Sequence, residues 1–343
     1  MKSLILAFLI LLVGCGTVLG TEQMSLQRFS NTRIDLMDTL IHFIGYAYSE
    51  QEFNEKLLHV TKEMQRLHNL FTTFDEIPGV NNIWYINQQA GISPVQVDPA
   101  IISLLQAGIE AYTTTSGMLN ISMGSVLDIW HRERISSTPS VPSIEELRAA
   151  KLHADINNIV INELEGTVFI QNPNMSIEVG SIAKGFAIEL AMQTAREVGL
   201  NNFLISAGGD VRMLYAPPHA NSWSTGVQNP DTPNNNSALV DVIRTQNMAI
   251  FTSGNYQRFF EIEGVRYHHI IDPTTLFPAN LYKSITVIHE TSIMAEVLTT
   301  ALYMISIDEG QKLLDELGGY ALWITYEGDI IVSTGYSRFS DNF

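Results

Sequence analysis

Apolar positions along the chain follow two rhythms, one of period 3.6 and one of period 2. After Ser49-Glu50-Gln51-Glu52, which has the form of a capping box, Phe53, Leu57, Val60, Met64, Leu67 and Phe71 recur at helical spacing. A second helix is bracketed by Asp98 as N-cap, Pro99 in its first turn and Gly117 past its end. Ser143 with Glu146 opens a short third. Period 2 takes over in pairs: 158–161 with 167–171 around Glu163-Leu164-Glu165-Gly166, 259–262 with 265–271 around Glu263-Gly264, and 321–326 with 330–333 around Glu327-Gly328-Asp329. Helical patterns over 292–305 and 308–317 lie between the last two pairs. Hairpins with helices grouped between them predict an α+β fold, with mixed or antiparallel sheets and packed helices, rather than a parallel α/β repeat.

The N-terminus breaks both rhythms. "MKSLILAFLILLVGCGTVLG" carries one lysine and an apolar run from Leu4 to Val13, too short to span a membrane and of signal-peptide length. It closes on Leu12-Val13-Gly14-Cys15, which resembles the bacterial lipobox, where cleavage before the cysteine leaves a lipid-bearing first residue. An ordinary signal peptide that contains a cysteine is the alternative. The expected organisation is a lipoprotein signal peptide over 1–14, an anchor and polar tether over 15–33, and one folded unit over 34–343. That expectation puts the protein on a membrane, lipid-anchored and facing the extracytoplasmic side. Cys15 is the only cysteine, so internal disulfides and thiolate chemistry are excluded.

With 343 residues, 45% hydrophobic and 16% charged, the chain can bury a large core. Lys+Arg 19 against Asp+Glu 36 gives a net charge of −17 with no basic run, which argues against nucleic acid and means that an anionic ligand needs a local lysine or a metal.

Candidate chemistry starts at "IEVGSIAKGFAIELA". Gly180 and Gly185 are spaced as in a phosphate loop, but Lys184 precedes the second glycine, so this is not a P-loop. The stretch is either an anion site at a helix start, with Lys184 beside it and Glu178 as a donor reader or metal ligand, or a tight strand-to-helix turn. "SAGGDVR", "TSGNY" and "HHIIDP" each combine a turn with polar residues, and His269 fits either a structural hydrogen bond or a proton transfer. In "AEVLTTALYM", Glu296 and Thr300 lie one turn apart with Thr299 adjacent. These hard oxygen donors suit Mg²⁺, although back-bonded threonines beside a solvated glutamate would read the same.

Taken in order, "MDT" at Met37, "SGMLNISMGSVLDIW", "EVGSIAKGFA", "SAGGDVR", "TSGNY", "HIIDPTT" and "AEVLTTAL" resemble the ApbE-type FAD:protein FMN transferases, bacterial flavin-trafficking lipoproteins. The resemblance runs from Met37 to about Ile305 and implies the fold of that family. It implies FAD contacts at Met37, Phe74, Met118, Leu119, Asn120, Glu178, Lys184 and Ile271, and a magnesium site at Ser181 (through its carbonyl), Glu296, Thr299 and Thr300. Phe74 stands where many members stack a tyrosine on the isoalloxazine ring. Asn120, Glu178 and Glu296 replace aspartates, while Asp38 and Leu276 replace glycines. The implied activity is Mg²⁺-dependent splitting of FAD at its diphosphate, with FMN passing to a threonine or serine of an acceptor flavoprotein and AMP released. Implied acceptors are subunits of membrane electron-transport complexes. His269 is the candidate for deprotonating the acceptor hydroxyl. The alternatives are an FAD pyrophosphatase giving FMN and AMP, and a lipoprotein that binds FAD without chemistry.

Overall fold

In the computed structural model, residues 25–232, 238–256 and 258–343 are described; the residues expected to form a signal peptide and lipobox lie outside them. The chain opens with a hairpin, β1 (Gln27–Leu36) and β2 (Thr39–Ala47), joined through Met37 and Asp38. Both joining residues have positive φ, 52° and 53°. Aspartate tolerates that region, so Asp38 can stand in a glycine's position, but methionine is strained there. β1 begins at Gln27, inside the segment expected to be a tether. Most of its side chains are exposed and its order comes from backbone pairing with β2, so no apolar alternation announces it.

α1 (Glu50–Phe71) follows, and Ser49 accepts from the Glu52 N–H as expected. The Glu52 carboxylate reaches back to the Tyr48 N–H at 2.9 Å, one residue beyond the capping-box partner. Next come α2 (Ile83–Gln88), the short strand β3 (Val95–Gln96), and α3 (Pro99–Thr114), capped by Asp98. α4 (Gly124–Ile135), α5 (Ile144–Lys151) and the hairpin β4 (Ile159–Asn162) with β5 (Thr167–Ile170) complete the first half.

The second half holds α6 (Ala183–Glu197), β6 (Phe203–Ala207), β7 (Asp210–Met213), β8 (Trp223–Gln228), β9 (Leu239–Thr245) and β10 (Ala249–Gly254). It continues with β11 (Phe259–Ile262), β12 (Val265–His268), β13 (Tyr282–His289), α7 (Ser292–Leu302), α8 (Ile307–Leu317), β14 (Tyr320–Thr325) and β15 (Ile330–Val332). The central sheet has eight strands in the order β1-β2-β6-β7-β10-β13-β14-β15. Every neighbouring pair is antiparallel, so the expected α+β class resolves to a purely antiparallel main sheet.

α1, α6 and α7 cover one face of this sheet, where Phe43, Phe203, Ile205 and Phe251 meet Val60, Met64, Ile188, Met192 and Ala295 in a solvent-free core. The opposite face is covered by Trp223, Ile243 and Tyr336. A third cluster joins Met123, Trp130 and Leu147 to Phe260, Ile271 and Leu276, tying α4 and α5 to the β11–β12 hairpin and the turn after it. That union sets two remote parts of the sequence facing each other across a cavity.

Candidate active site

β7 builds the site by period 2. The Gly208-Gly209 turn, with φ 61° and 98°, is the tight glycine hairpin that joins β6 to β7 and delivers Asp210 at the first position after it. Asp210 and Arg212 then face the same side, beneath α6. Asp210 takes the Lys184 ammonium and, through its other oxygen, the Thr252 N–H at 2.7 Å. Arg212 grips Glu189 with two N–H donors at 3.0 and 3.2 Å. Burial works against the charge of Glu189, but Arg212, joined by Ser292, outweighs it and holds the carboxyl below its usual range. The same carboxylate accepts from the N–H and hydroxyl of Ser292, which fixes the start of α7.

The glycines of the 177–191 stretch answer to packing. A Cβ at Gly185 would lie 2.4 Å from the Ser292 carbonyl, so only glycine lets α6 approach α7 this closely. The Gly185 N–H donates to Glu296 Oε2 at 2.6 Å, and the Gly180 N–H donates to Glu178 at 2.9 Å. Two donors expected to face an anionic ligand are therefore taken by the protein's own carboxylates. The anion-site and tight-turn readings of this stretch merge, because the bound anions are side chains.

Glu296 uses its length. One oxygen reaches Gly185 and the other pairs with Lys184 at 2.9 Å. Lys184 thus bridges Asp210 and Glu296, and its ammonium lies 4.7 Å from the Phe251 ring centroid. Burial acts to lower its pKa, but Asp210 and then Glu296 raise it further, keeping the lysine charged. Burial pushes the Glu296 carboxyl up, opposed chiefly by Lys184. Thr299 Oγ1 donates to the Glu296 carbonyl at 2.9 Å and keeps lone pairs to offer. Two carboxylates on one lysine leave one surplus negative charge beside threonine hydroxyls and the Ser181 carbonyl. That oxygen-only donor set fits Mg²⁺, although among the described residues no three His, Cys, Asp or Glu side chains converge as a metal cage.

All thirteen residues singled out from the sequence line one cavity of about 480 Å³. Met37, Phe74, Met118, Leu119, Asn120, Glu178, Lys184, Ile271, Ser181, Glu296, Thr299, Thr300 and His269 come together from six separate stretches of chain. Within it, the Asn120 carbonyl oxygen accepts from the Ser122 N–H and hydroxyl at 2.9 and 2.6 Å, so much of that side chain serves its own turn. Phe74 is 53% exposed and stacks one face on His131, with centroids 4.7 Å apart. Burial, then Arg258, lowers the His269 pKa to about 3, and its Nδ1 lies 3.4 Å from the Arg258 carbonyl. Its neighbour His268 is structural: Nδ1 accepts from the Ile270 N–H, so Nε2 carries the proton donated to the Ala279 carbonyl at 2.6 Å.

A family model described as the ApbE family matches residues 37–324. The chain belongs to the ApbE family. The FAD:protein FMN transferase of Klebsiella pneumoniae (strain 342) is 28% identical over 301 residues, which span 84% of this chain and 92% of that protein. The FAD:protein FMN transferase of Treponema pallidum (strain Nichols) is 30% identical over 265 residues, 73% of this chain and 72% of its own. Among solved structures, the ApbE protein of Thermotoga maritima superposes with a TM-score of 0.80 at 28% identity, over 91% of this chain and 99% of that one. The ApbE-like fold implied by the ordered motifs is therefore the observed one.

Sequence reasoning missed Asp210, although "SAGGDVR" contained it and a carboxylate directly after a glycine turn was the available signal. It also missed Asp128, His131, Arg134 and Arg258 on the same wall system. Their signal is weak, because α4 has no side-chain N-cap and mixes charged residues among Val126, Ile129 and Trp130.

Proposed function

We propose that this ApbE-family protein is an FAD:protein FMN transferase, moving FMN from FAD to a threonine or serine hydroxyl of an acceptor flavoprotein with release of AMP. The observation that carries the reading is the convergence of thirteen residues from six stretches on one cavity, in a chain whose relatives bear that activity by name. The acceptor oxygen attacks the phosphorus of the FMN half, the bond to the AMP oxygen breaks, and AMP departs with the electron pair. The hydroxyl proton passes to His269, which is neutral at pH 7 as a base must be. Burial and Arg258 make it a weak base in the free protein; a diphosphate beside it opposes Arg258 and raises its proton affinity. Phe74 offers its exposed face to the flavin ring, and Lys184, fixed by Asp210 and Glu296, presents a permanent positive charge to the diphosphate.

Glu296, Thr299, Thr300 and the Ser181 carbonyl would hold a magnesium ion, which supplies Lewis-acid polarisation of the diphosphate when bound. The apolar leader ending in Cys15 supports a lipid-anchored protein on the extracytoplasmic side of a membrane, and acceptors in membrane electron-transport complexes suit that location. Among the described residues no helix is long and apolar enough to cross a membrane. Incubation with FAD, Mg²⁺ and an acceptor bearing a threonine flavinylation segment tests the activity: equal amounts of AMP and of covalent flavin fluorescence on the acceptor are expected. AMP without labelled acceptor would make the protein a hydrolase, and neither product would make it a binder. Cys15→Ser is expected to move the protein from the membrane fraction to the soluble exported fraction.

A further inference from the structure

Two arginines line the cavity without an ion-pair partner among the described residues. Arg134, on α4, is half-buried; its one side-chain hydrogen bond runs from Nη2 to His131 Nδ1 at 3.1 Å, and no carboxylate pairs with it among the described residues. Arg258, at the foot of β11, lines the same cavity, and its guanidinium has no hydrogen bond, ion pair or ring contact among the described residues. Both line the cavity together with His269 and Glu178. Burial first, and then Arg258, pulls the Arg134 pKa down. The other side chains facing them are Asp128, whose carboxyl burial pushes up, and His131, whose ring burial and then Arg134 keep neutral. In a chain of net charge −17, Arg134, half-buried, and Arg258, exposed, line one cavity with no carboxylate ion-paired to either among the described residues. Only Glu178 opposes the effects of burial and Arg258 on Arg134, and an added anion would relieve them further.

We propose that Arg134 and Arg258 form a subsite for a nucleotide phosphate, gripping the substrate in the cavity that also holds the Lys184–Asp210–Glu296 group. This rests on the transferase reading for its choice of dinucleotide, and on the two arginines alone for its choice of phosphate. Guanidinium forks present several N–H donors in one plane, and a diphosphate, with two unbridged oxygens on each phosphorus, accepts from both forks at once. A carboxylate saturates one. His131 completes the wall: its Nδ1 lone pair orients Arg134 while its ring backs Phe74, so the phosphate grip and the stacking platform are one assembly.

Calorimetry on the full chain tests this with four probes: AMP, adenosine, FMN and riboflavin. For the Arg134→Met/Arg258→Met double variant, AMP or FMN is expected to lose at least tenfold in affinity, and which of the two does so names the half of the dinucleotide that is gripped. Adenosine and riboflavin, lacking phosphate, are expected to move less than twofold, and their retained binding shows that the variant is folded. Arg134→Lys/Arg258→Lys is expected to recover part of the loss. The proposal is overturned if neither nucleotide is weakened, if the nucleosides are weakened equally, if neither nucleotide binds the wild-type chain, or if only the KM for an acidic acceptor changes. Failure of the wild type to label any acceptor would overturn the transferase reading instead, leaving the phosphate result standing.

Discussion

Where α6, α7 and β7 meet, each charged side chain has protein partners: Lys184 lies between Asp210 and Glu296, and Arg212 is clamped to Glu189. Where α4 meets the β11–β12 hairpin, Arg134 and Arg258 face the cavity with no carboxylate partner among the described residues. The two ends differ in what their charges are for. A paired buried charge holds elements in register, and removing one partner strands the other. An unpaired charge adds nothing to the fold and stores interaction energy for a ligand. Substitutions at the paired end should therefore harm stability and activity together, and substitutions at the unpaired end should harm binding alone.

The largest effect is expected at Glu296. Glu296→Ala removes the carboxylate of the oxygen set and strands Gly185 and Lys184. AMP release from FAD should fall by about two to three orders of magnitude, the range for losing a preorganised charge at a reacting centre. Stability should fall by about 1–3 kcal/mol, the cost of an unsatisfied buried donor. Glu296→Asp keeps the charge but cannot span both the Gly185 N–H and Lys184, so its rate should lie between the two. A rate in Glu296→Asp equal to the wild type would show that the Gly185 contact is dispensable, and full activity in Glu296→Ala would remove Glu296 from the site.

Lys184→Met comes next. It leaves Asp210 and Glu296 facing each other without a cation, which should cost about 3 kcal/mol in chemical denaturation, the low end for breaking a buried pair. The low end applies because Glu296, already pushed towards protonation by burial, can neutralise. The matched measurement at the other end is Arg258→Met, where the unfolding free energy should be unchanged within about 0.5 kcal/mol. Equal losses in the two variants would erase the distinction between paired and unpaired ends.

Acidification separates the ends by sign. Burial holds the His268 pKa at about 4, whereas an unfolded histidine takes its proton near pH 6.5. Below that value the unfolded chain binds a proton that the folded chain refuses, so stability falls as pH drops. Between pH 7 and pH 5 the loss should be about 2 kcal/mol from this residue. Glu296 works the other way, because its raised pKa lets the folded chain take up a proton first. Denaturation midpoints at pH 7 and pH 5 for wild type and His268→Gln should differ in slope by that amount. Parallel slopes would mean that His268 titrates normally in the fold.

The paired end was legible because its parts come in consecutive runs with fixed order: Lys184 within a glycine-bracketed helix start, and Glu296, Thr299 and Thr300 within one helical turn. The β4–β5, β11–β12 and β14–β15 hairpins and most helices were legible for the same reason, since cap, period and turn lie within a few residues of one another. Partnerships across the fold were not. Nothing in "SAGGDVR" says that Asp210 will meet Lys184 or that Arg212 will meet Glu189, because strand β7 passes beneath α6 only after the sheet has formed. The unpaired end was least legible, because Arg134 and Arg258 are 124 positions apart and each looks like an ordinary surface arginine in its own segment. β1 escaped because an edge strand needs no apolar face.

The smallest effect concerns Phe74, which sits at the unpaired end beside His131. Its inner face is covered by the histidine ring and its outer face is open, so a flavin ring would stack from outside, with the histidine behind the phenyl ring. Restoring the family's tyrosine keeps both faces and adds one hydroxyl at the exposed rim. A net hydrogen bond there is worth about 0.5–1.5 kcal/mol, so Phe74→Tyr should tighten FAD binding by no more than about tenfold and leave the melting temperature unchanged. Flavin fluorescence quenching reads the stack directly: equal maximal quenching by phenylalanine and tyrosine is expected. His131→Ala supplies the contrast, because it uncovers the inner face and releases Arg134 without touching the outer one. If the flavin stacks outside, quenching survives His131→Ala while the affinity for nucleotide phosphate drops. If quenching is lost with His131, the histidine is part of the flavin platform itself, and the two ends of the cavity must be redrawn with the ring, rather than the phosphate, at the arginine wall.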